Sequence, residues 1–274
     1  MFKMVFLQFL YDLSDREIEE QATWNMRFKW FLGLSAAELP PDHTTLCRFR
    51  QRLGAEGFPR LCNQVVAPAR AQGLVSDRLH ISDATEMAAK VNLFRLKKEH
   101  SQGDDDDPYV DRNSPDPEAR FGRKSKKKGC YGYQAHIVED ADSELIVGVR
   151  TTPGNVPDGV VLPELIAAHP QEATAAKGYD RAANHAPLVT LRVACGIIRR
   201  RRPPGRPRNS RRARPKIERQ FAESKQRHGL KKARYWGLVK VSIQSFMVAI
   251  VVNLKRLVQL RFLAHAKPRL AVAA

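Results

Sequence analysis

Two carboxylate side chains have surroundings in which an ionised acid is costly unless a cation is close by. Asp83 shares one face of a predicted strand with Leu79 and Ile81, because alternate residues of a strand point to the same side. That face is expected to be covered, and an ionised group there needs a partner such as a metal ion. A turn or cap role near the strand end is the alternative interpretation of this aspartate.

Glu218 is the first acidic residue after Asp180, and the chain between them includes one of the most basic stretches of the protein. It belongs to a helix that is predicted to begin at Pro215, because proline is favoured in the first turn. Phe221 and Lys225 follow at spacings that place them on the same helical face. A glutamate in a first turn is also stabilised by the helix dipole, so a simple capping role stays open.

The composition points to a polyanionic partner. The chain has 274 residues, a formal net charge of +18 and an isoelectric point near 10.1. Excess Lys and Arg on a folded protein attract phosphates, so nucleic acid is the leading candidate. A membrane span is disfavoured, because the long apolar stretch at residues 242–257 contains Gln244, Asn253 and Lys255. The N-terminal segment has no small-residue cleavage site, which predicts a cytoplasmic protein.

The four cysteines have no paired spacing, which argues against both a zinc site and a disulfide framework. They are predicted to be small core residues: Cys47, Cys62, Cys130 and Cys195.

Residues 1–72 are predicted to form a small all-helical region. The segments at 14–17 and 35–38 have the Ser-x-x-Glu spacing of a helix start. A further helix over residues 42–53 places Arg48 and Arg52 off its apolar face. These two arginines could face DNA from the recognition helix of a helix-turn-helix, or the helix could be plain core.

After Gly73 the pattern changes to βββαβαβα, which predicts a mixed α/β domain whose central sheet is covered by helices. Residues 97–128 are polar and charged and short of apolar side chains. They are predicted to form a mobile loop.

A run of arginines precedes Glu218. Its prolines and Gly205 disfavour regular structure, so a solvated loop is one interpretation and contact with the DNA backbone is the other. Phosphate contact is the favoured one, and it would give affinity without much sequence specificity. The arginines concerned are Arg199, Arg200, Arg201, Arg202, Arg206, Arg208, Arg211, Arg212 and Arg214.

The motifs occur in a collinear order that resembles bacterial insertion-sequence transposases of the IS5 and IS1182 kind. They are "ISDAT", "YGYQAHIVED", "TPGNVPDG", "AAKGYD", "IERQFAESKQRHGLKKARYWGLVKV" and "NLKRL". The segments "LSDREIEEQATWNMRFKWFLGL" and "PDHTTLCRFRQRL" resemble the N-terminal region of the same family. The resemblance implies a DNA-binding helical region at 1–72 and a ribonuclease-H-like catalytic domain of the DDE group at 73–266.

The resemblance also implies a mechanism and partners. Asp83 and Glu218 would be catalytic metal ligands for Mg²⁺ or Mn²⁺, with two ions in an intact site. Arg214 and Lys225 match a basic pair that flanks the family's glutamate, and Arg211 stands where a tyrosine is usual. The implied reaction is cleavage at transposon ends followed by strand transfer into target DNA. Terminal inverted repeats, target DNA and a homo-oligomer are the implied partners.

One position departs from the family pattern. Ala176 stands in "AAKGYD" where the second aspartate is expected. The nearest acid is Asp180, and four residues along a strand span about 13 Å, too far for a two-metal site. A catalytically inactive, DNA-binding remnant is therefore the alternative function. The start at Met1 is also later than in relatives, which predicts a truncated copy.

Overall fold

The computed structural model describes residues 1–99, 106–125, 128–166, 170–198 and 209–266. Helices alone form the N-terminal region, as predicted. Ser14 caps the second helix in a reciprocal capping box with Glu17. The same spacing at Ser35 and Glu38 gives a hydrogen bond but no helix. The four helices are α1 (Phe2–Leu10), α2 (Asp15–Trp24), α3 (Met26–Leu32) and α4 (His43–Ala71).

Helix α4 is longer than predicted. Asp42 caps its first turn by accepting a hydrogen bond from the Thr45 amide. The predicted end at Gly54 is instead a break, where φ is 60° and a glycine adopts the left-handed region at little cost. The helix resumes after this break and continues to Ala71.

A six-stranded mixed sheet forms the centre of the protein. The strands are β1 (Leu79–Ala88), β2 (Arg120–Ser125), β3 (Lys128–Asp140), β4 (Ile146–Pro153), β5 (Glu172–Ala175) and β6 (Ala194–Cys195). The central strand β1 pairs antiparallel with β3 and parallel with β5, while β6 extends the parallel side. Strands β2 and β4 both pair antiparallel with β3. This order is that of a ribonuclease-H-like domain, which confirms the predicted fold class.

Regular structure occurs where residues 97–128 were predicted to form a loop. Helix α5 (Leu93–Glu99) runs into this segment, α6 (Asp106–Asn113) lies within it, and β2 completes it. Val110 and Ala119 are fully buried in the main core. A few buried apolar residues, such as these two, therefore anchor a segment whose average composition is polar.

The remaining helices cover the sheet. They are α7 (Asp158–Leu165), α8 (Ala182–Thr190), α9 (Asn209–Arg227) and α10 (Leu238–Ala266). Within the described ranges, Leu238–Arg261 has the length and hydropathy of a membrane span. Most of it is buried, however, and it packs on α4 and β4 as a core helix. Residues of α1, α4, β1 and α10 belong to one buried cluster.

Polar residues inside α10 are satisfied by specific partners. The Asn253 side chain accepts a hydrogen bond from the Ile146 amide at 2.7 Å and donates to the Ile146 carbonyl at 2.8 Å. Lys255 pairs with Glu223 of α9, and the Arg256 guanidinium donates to the Ser143 carbonyl at 2.8 Å. The "NLKRL" motif thus fixes α10 against β4 and α9.

The cysteines differ from their prediction as core residues. Only Cys62 is buried, Cys130 is partly exposed, and Cys47 and Cys195 are exposed. The absence of a paired spacing argues against a disulfide framework but does not determine burial.

Candidate active site

Asp83 and Ala176 are brought together by two neighbouring parallel strands. Ser82 of β1 is the register partner of Ala175 of β5, so Asp83 and Ala176 each follow a paired residue. Ala176 has an extended backbone and directly follows the last residue of β5, and a 3-10 turn begins at the next residue. Both residues line one small pocket.

Asp83 is mostly enclosed. The first four residues of β1 are buried, so both faces of the strand are covered there. The Asp83 side chain is 17% exposed, and its Oδ1 accepts a hydrogen bond from the Ala84 amide at 2.9 Å. The predicted covered face is therefore present, and it opens towards solvent only near this carboxylate.

Helix α9 carries the second carboxylate to the same place. Arg214 Nη2 lies 3.9 Å from Asp83 Oδ2, and Arg214 Nε lies 3.2 Å from Glu218 Oε1. The side chains of Arg214 and Glu218 are 40% and 59% exposed, so both can rearrange without disturbing the core. Ile217 anchors the helix beneath them in the main core. The helix begins at Asn209 and not at the predicted Pro215, which lies within it.

The donor set fits one divalent cation better than two. Asp83 and Glu218 offer hard carboxylate oxygens, which suit Mg²⁺ or Mn²⁺. Ala176 offers no ligand, and the guanidinium of Arg214 lies close to both acids. Asp180 does not replace the missing ligand in this arrangement, because its Oδ1 lies 2.8 Å from His185 Nε2.

A second group of possible ligand atoms lies at the start of β1. Atoms of Asp77, His80 and Asp140 lie within 4.8 Å of one another. Hydrogen bonds already satisfy these carboxylates: Asp77 bonds to His80 and Arg70, and Asp140 accepts from the Asp77 amide and from Ser143. His80 and Asp83 are three positions apart and so point to opposite faces of β1. This cluster stabilises the strand start and is separate from the Asp83 pocket.

A buried polar network supports the turn after Ala176. The Tyr179 hydroxyl lies 3.5 Å from His136 Nδ1, and His136 Nε2 lies 2.9 Å from Thr152 Oγ1. Burial, with the nearby carboxylates of Asp158 and Asp83, raises the pKa of Tyr179 well above its usual value. Burial and the charge of a neighbouring arginine lower the pKa of His136 to about 4. Both groups are therefore neutral near pH 7, and no sequence motif predicted this network.

Glu139 is a further buried acid on the face of the sheet that carries Asp83. It pairs with Ile81 across β1 and β3, and cross-strand partners share a face. The residue is fully buried, and neither carboxylate oxygen has a hydrogen-bond partner in the described part of the chain. Burial raises the pKa of Glu139 to about 8, with a further contribution from Glu144. Sequence analysis missed it because it stands in an otherwise ordinary strand end.

The predicted DNA-binding residues fall into three groups. Arg48 and Arg52 are exposed on α4, and Lys225 is partly exposed on α9. Arg211 and Arg212 lie on the first turns of α9 and not in a loop, although only their backbone is described. The residues of the run that lie outside the described ranges are Arg199, Arg200, Arg201, Arg202, Arg206 and Arg208.

Comparison with known proteins gives two family matches, and solved structures include a transposase among the similar chains. Residues 1–52 match the family described as Transposase domain (DUF772), and residues 81–254 match the Transposase DDE domain. A solved structure, "Mos1 transposase paired-end complex with left transposon end", aligns at 9% identity with a TM-score of 0.21. That alignment covers 90% of this chain and 78% of the other.

The DDE match spans both carboxylates, Ala176 and all the strands of the sheet except the first two residues of β1. The N-terminal match covers α1, α2, α3 and the start of α4, in the order that the resemblance predicts. The two matches establish the family without assigning the IS5 group within it. The chain belongs to the DDE transposases, a family that acts on DNA and uses divalent metal ions.

Proposed function

We propose that this chain binds transposon-end DNA and that its catalytic site is incomplete at Ala176. In this proposal Asp83 and Glu218 are the metal ligands and Arg214 is their local counter-charge. Cleavage and strand transfer are then weak or absent in the chain as it stands. Binding to terminal inverted repeats is retained.

The observation that carries the proposal is the strand register. Because Ser82 pairs with Ala175, an acid at position 176 would lie beside Asp83, with the strands about 4.8 Å apart. That separation suits carboxylates that share one cation or bridge two ions about 3.5 to 4 Å apart. With alanine there, the site lacks a ligand at the end of β5, beside Asp83.

A divalent cation bound to such carboxylates activates the attacking oxygen and stabilises the leaving oxygen of a phosphodiester. The protein's own residues would orient the DNA. Arg214 lies between the two acids and can turn to a phosphate when a cation neutralises them. Lys225, Arg211 and Arg212 lie along the same helix and would contact the backbone of the strand to be cut. Arg48 and Arg52 would contact the transposon end from α4.

The oligomeric state, the metal ion and the cellular location are part of the same proposal. Transposition must hold two ends together, so we expect a homo-oligomer on DNA. Mg²⁺ is the expected ion and Mn²⁺ a substitute, because carboxylate oxygens suit both. A basic, DNA-acting bacterial protein is expected in the cytoplasm, associated with the nucleoid.

The test is metal-dependent nicking of a labelled transposon-end duplex. The natural chain is compared with Ala176→Asp, and Glu218→Gln, alone and with Ala176→Asp, serves as the blank. We expect cutting only by Ala176→Asp with Glu218 intact. If the natural chain cuts and Glu218→Gln does not, the proposal of an incomplete site is contradicted. Another group must then complete the metal site. If Ala176→Asp binds the duplex but never cuts, the assignment of position 176 is wrong.

The second candidate is a binding protein that represses intact copies by occupying their ends. Ala176 favours it, since binding does not need a complete metal site. Metal-dependent cleavage of labelled ends would separate it from an enzyme with residual activity. A third candidate, a general RNA-binding basic protein, explains the charge but not the ordered motifs. Selective binding to inverted repeats separates the first two candidates from it.

A further inference from the structure

Cys195, His185 and Asp180 form a chain of contacts outside the Asp83 pocket. Cys195 Sγ lies 3.3 Å from His185 Nδ1, and His185 Nε2 lies 2.8 Å from Asp180 Oδ1. Cys195 is exposed at the end of strand β6, His185 lies on α8, and Asp180 follows the turn after Ala176. Three separate elements therefore position these side chains.

This arrangement has the parts of an activated nucleophile. The imidazole is within hydrogen-bond reach of the thiol, and a third group fixes the imidazole from its other nitrogen. The thiolate is the reactive form of cysteine, so a base placed to accept the thiol proton increases reactivity. We propose that Cys195 is a reactive thiol that exchanges with low-molecular-weight disulfides and so is a site of reversible modification.

The local backbone favours thiol exchange over hydrolysis. The amides of Ala194 and Gly196, which flank Cys195, donate to the carbonyls of Gln171 and Ala173. These two amides are therefore committed to the sheet and do not serve as oxyanion-hole donors for acyl transfer. Disulfide exchange needs no such site, because the leaving thiolate carries the charge away.

The reaction balances without a further reactant. The Cys195 proton passes to His185 Nδ1, and the sulfur attacks one sulfur of the disulfide. A new S–S bond forms to Cys195 while the old one breaks. The departing thiolate takes a proton from His185, so one disulfide and one thiol give one mixed disulfide and one thiol.

The other cysteines provide internal controls. Cys62 is buried, and burial raises the pKa of its thiol to about 12, so it is inert. Cys47 is exposed, as Cys195 is. Within the described ranges, however, no imidazole is hydrogen-bonded to Cys47. Comparing the two exposed cysteines tests activation by an imidazole, because the charged group that interacts with Cys47 is the guanidinium of Arg50.

The experiment is reaction of the whole protein with oxidised glutathione, with modified peptides identified and timed by mass spectrometry. We expect Cys195 to react about tenfold faster than Cys47, reflecting its base. His185→Gln should reduce the Cys195 rate to near that of Cys47 and change its dependence on pH. His43→Gln, a half-buried histidine elsewhere, should leave the Cys195 rate unchanged.

Equal rates at Cys195 and Cys47 would overturn the proposal. So would an unchanged Cys195 rate in His185→Gln with native circular dichroism. If His185→Gln unfolds, Asp180→Asn is the second variant, and it must slow Cys195 without changing Cys47. An Asp180→Asn protein that reacts like the natural chain would equally overturn the proposal.

Discussion

Asp83 and Ala176 occupy corresponding places on neighbouring parallel strands, one residue beyond the pair Ser82 and Ala175. Such register is fixed by burial, because a slip of one residue would turn every side chain of the strand to its other face. The strand register thus places position 176 beside Asp83, although the residue there is alanine and not an acid. Arg214, 3.9 Å from Asp83 and 3.2 Å from Glu218, is the nearby counter-charge in this arrangement.

Replacing Arg214 by glutamine should strengthen binding of a divalent cation. The guanidinium competes with a cation for the same two carboxylates, and removing one unit charge at this range is worth about 1 kcal/mol, or several-fold in affinity. Calorimetric titration with Mn²⁺ measures the change. Arg219→Gln is the matched control, because Arg219 lies on the same helix but pairs with Glu144. Weaker Mn²⁺ binding in Arg214→Gln than in Arg219→Gln would rule out this competition.

Both carboxylates could be predicted as site residues from the sequence, because each stands out from its neighbours along the chain. Asp83 interrupted an apolar strand face, and Glu218 was isolated among basic residues. Their shared contact with Arg214 could be anticipated only in part, because a four-residue spacing predicts the pair on α9 but not the distance to β1. Glu139 and the contact of Cys195 with His185 depend on register and on how separate elements pack. Periodicity along one segment cannot supply that information.

Arg48 and Arg52 should contribute to DNA binding through charge. Replacing both by glutamine should reduce affinity for a transposon-end duplex at low salt. The slope of log affinity against log salt should fall by about 2, since each phosphate contact contributes roughly 0.9. Fluorescence anisotropy over a salt series measures it. Arg60→Gln is the control on the same helix beyond the break at Gly54, and it should leave the slope nearly unchanged. An unaltered slope in the double variant would show that this face does not contact DNA.

Glu139 should make stability depend on pH. Its folded-state pKa is about 8 while the unfolded value is near 4.5, so the folded state binds the extra proton between these values. The free energy of unfolding therefore falls as pH rises from about 4.5 to 8, by up to about 1.4 kcal/mol per pH unit. The groups facing it are Glu144, Lys216, Arg219 and Arg256.

Glu139→Gln should remove this contribution, because the amide does not ionise. Urea unfolding of both proteins at pH 6, 7 and 8 gives the comparison. The difference in stability should grow in favour of the glutamine variant as pH rises. Parallel pH profiles for the two proteins would mean that Glu139 is ionised in the folded state or does not titrate in this window.

Ser14→Ala should destabilise the N-terminal helices by about 1 kcal/mol, because the hydroxyl caps the Glu17 amide at the start of α2. Ser35→Ala is a control of the same type, since Ser35 has the same spacing to Glu38 but precedes no helix. Its substitution should change the free energy of unfolding by less than about 0.5 kcal/mol. Thermal or urea unfolding followed by circular dichroism distinguishes them. Equal effects would mean that the spacing itself, and not the cap, is stabilising.

Removing the buried amide of Asn253 from α10 should reduce stability strongly. Its amide makes both hydrogen bonds to the Ile146 backbone, at 2.7 and 2.8 Å, in the fully buried centre of the protein. Asn253→Ala leaves a buried N–H and C=O of β4 without partners, which costs about 1 to 3 kcal/mol for each unsatisfied group. Val258→Ala, on an exposed face of the same helix, should have little effect. Hydrogen exchange at Ile146 adds a local test: its amide should exchange markedly faster in Asn253→Ala than in Val258→Ala. Unchanged protection would show that another group takes over the Asn253 contacts.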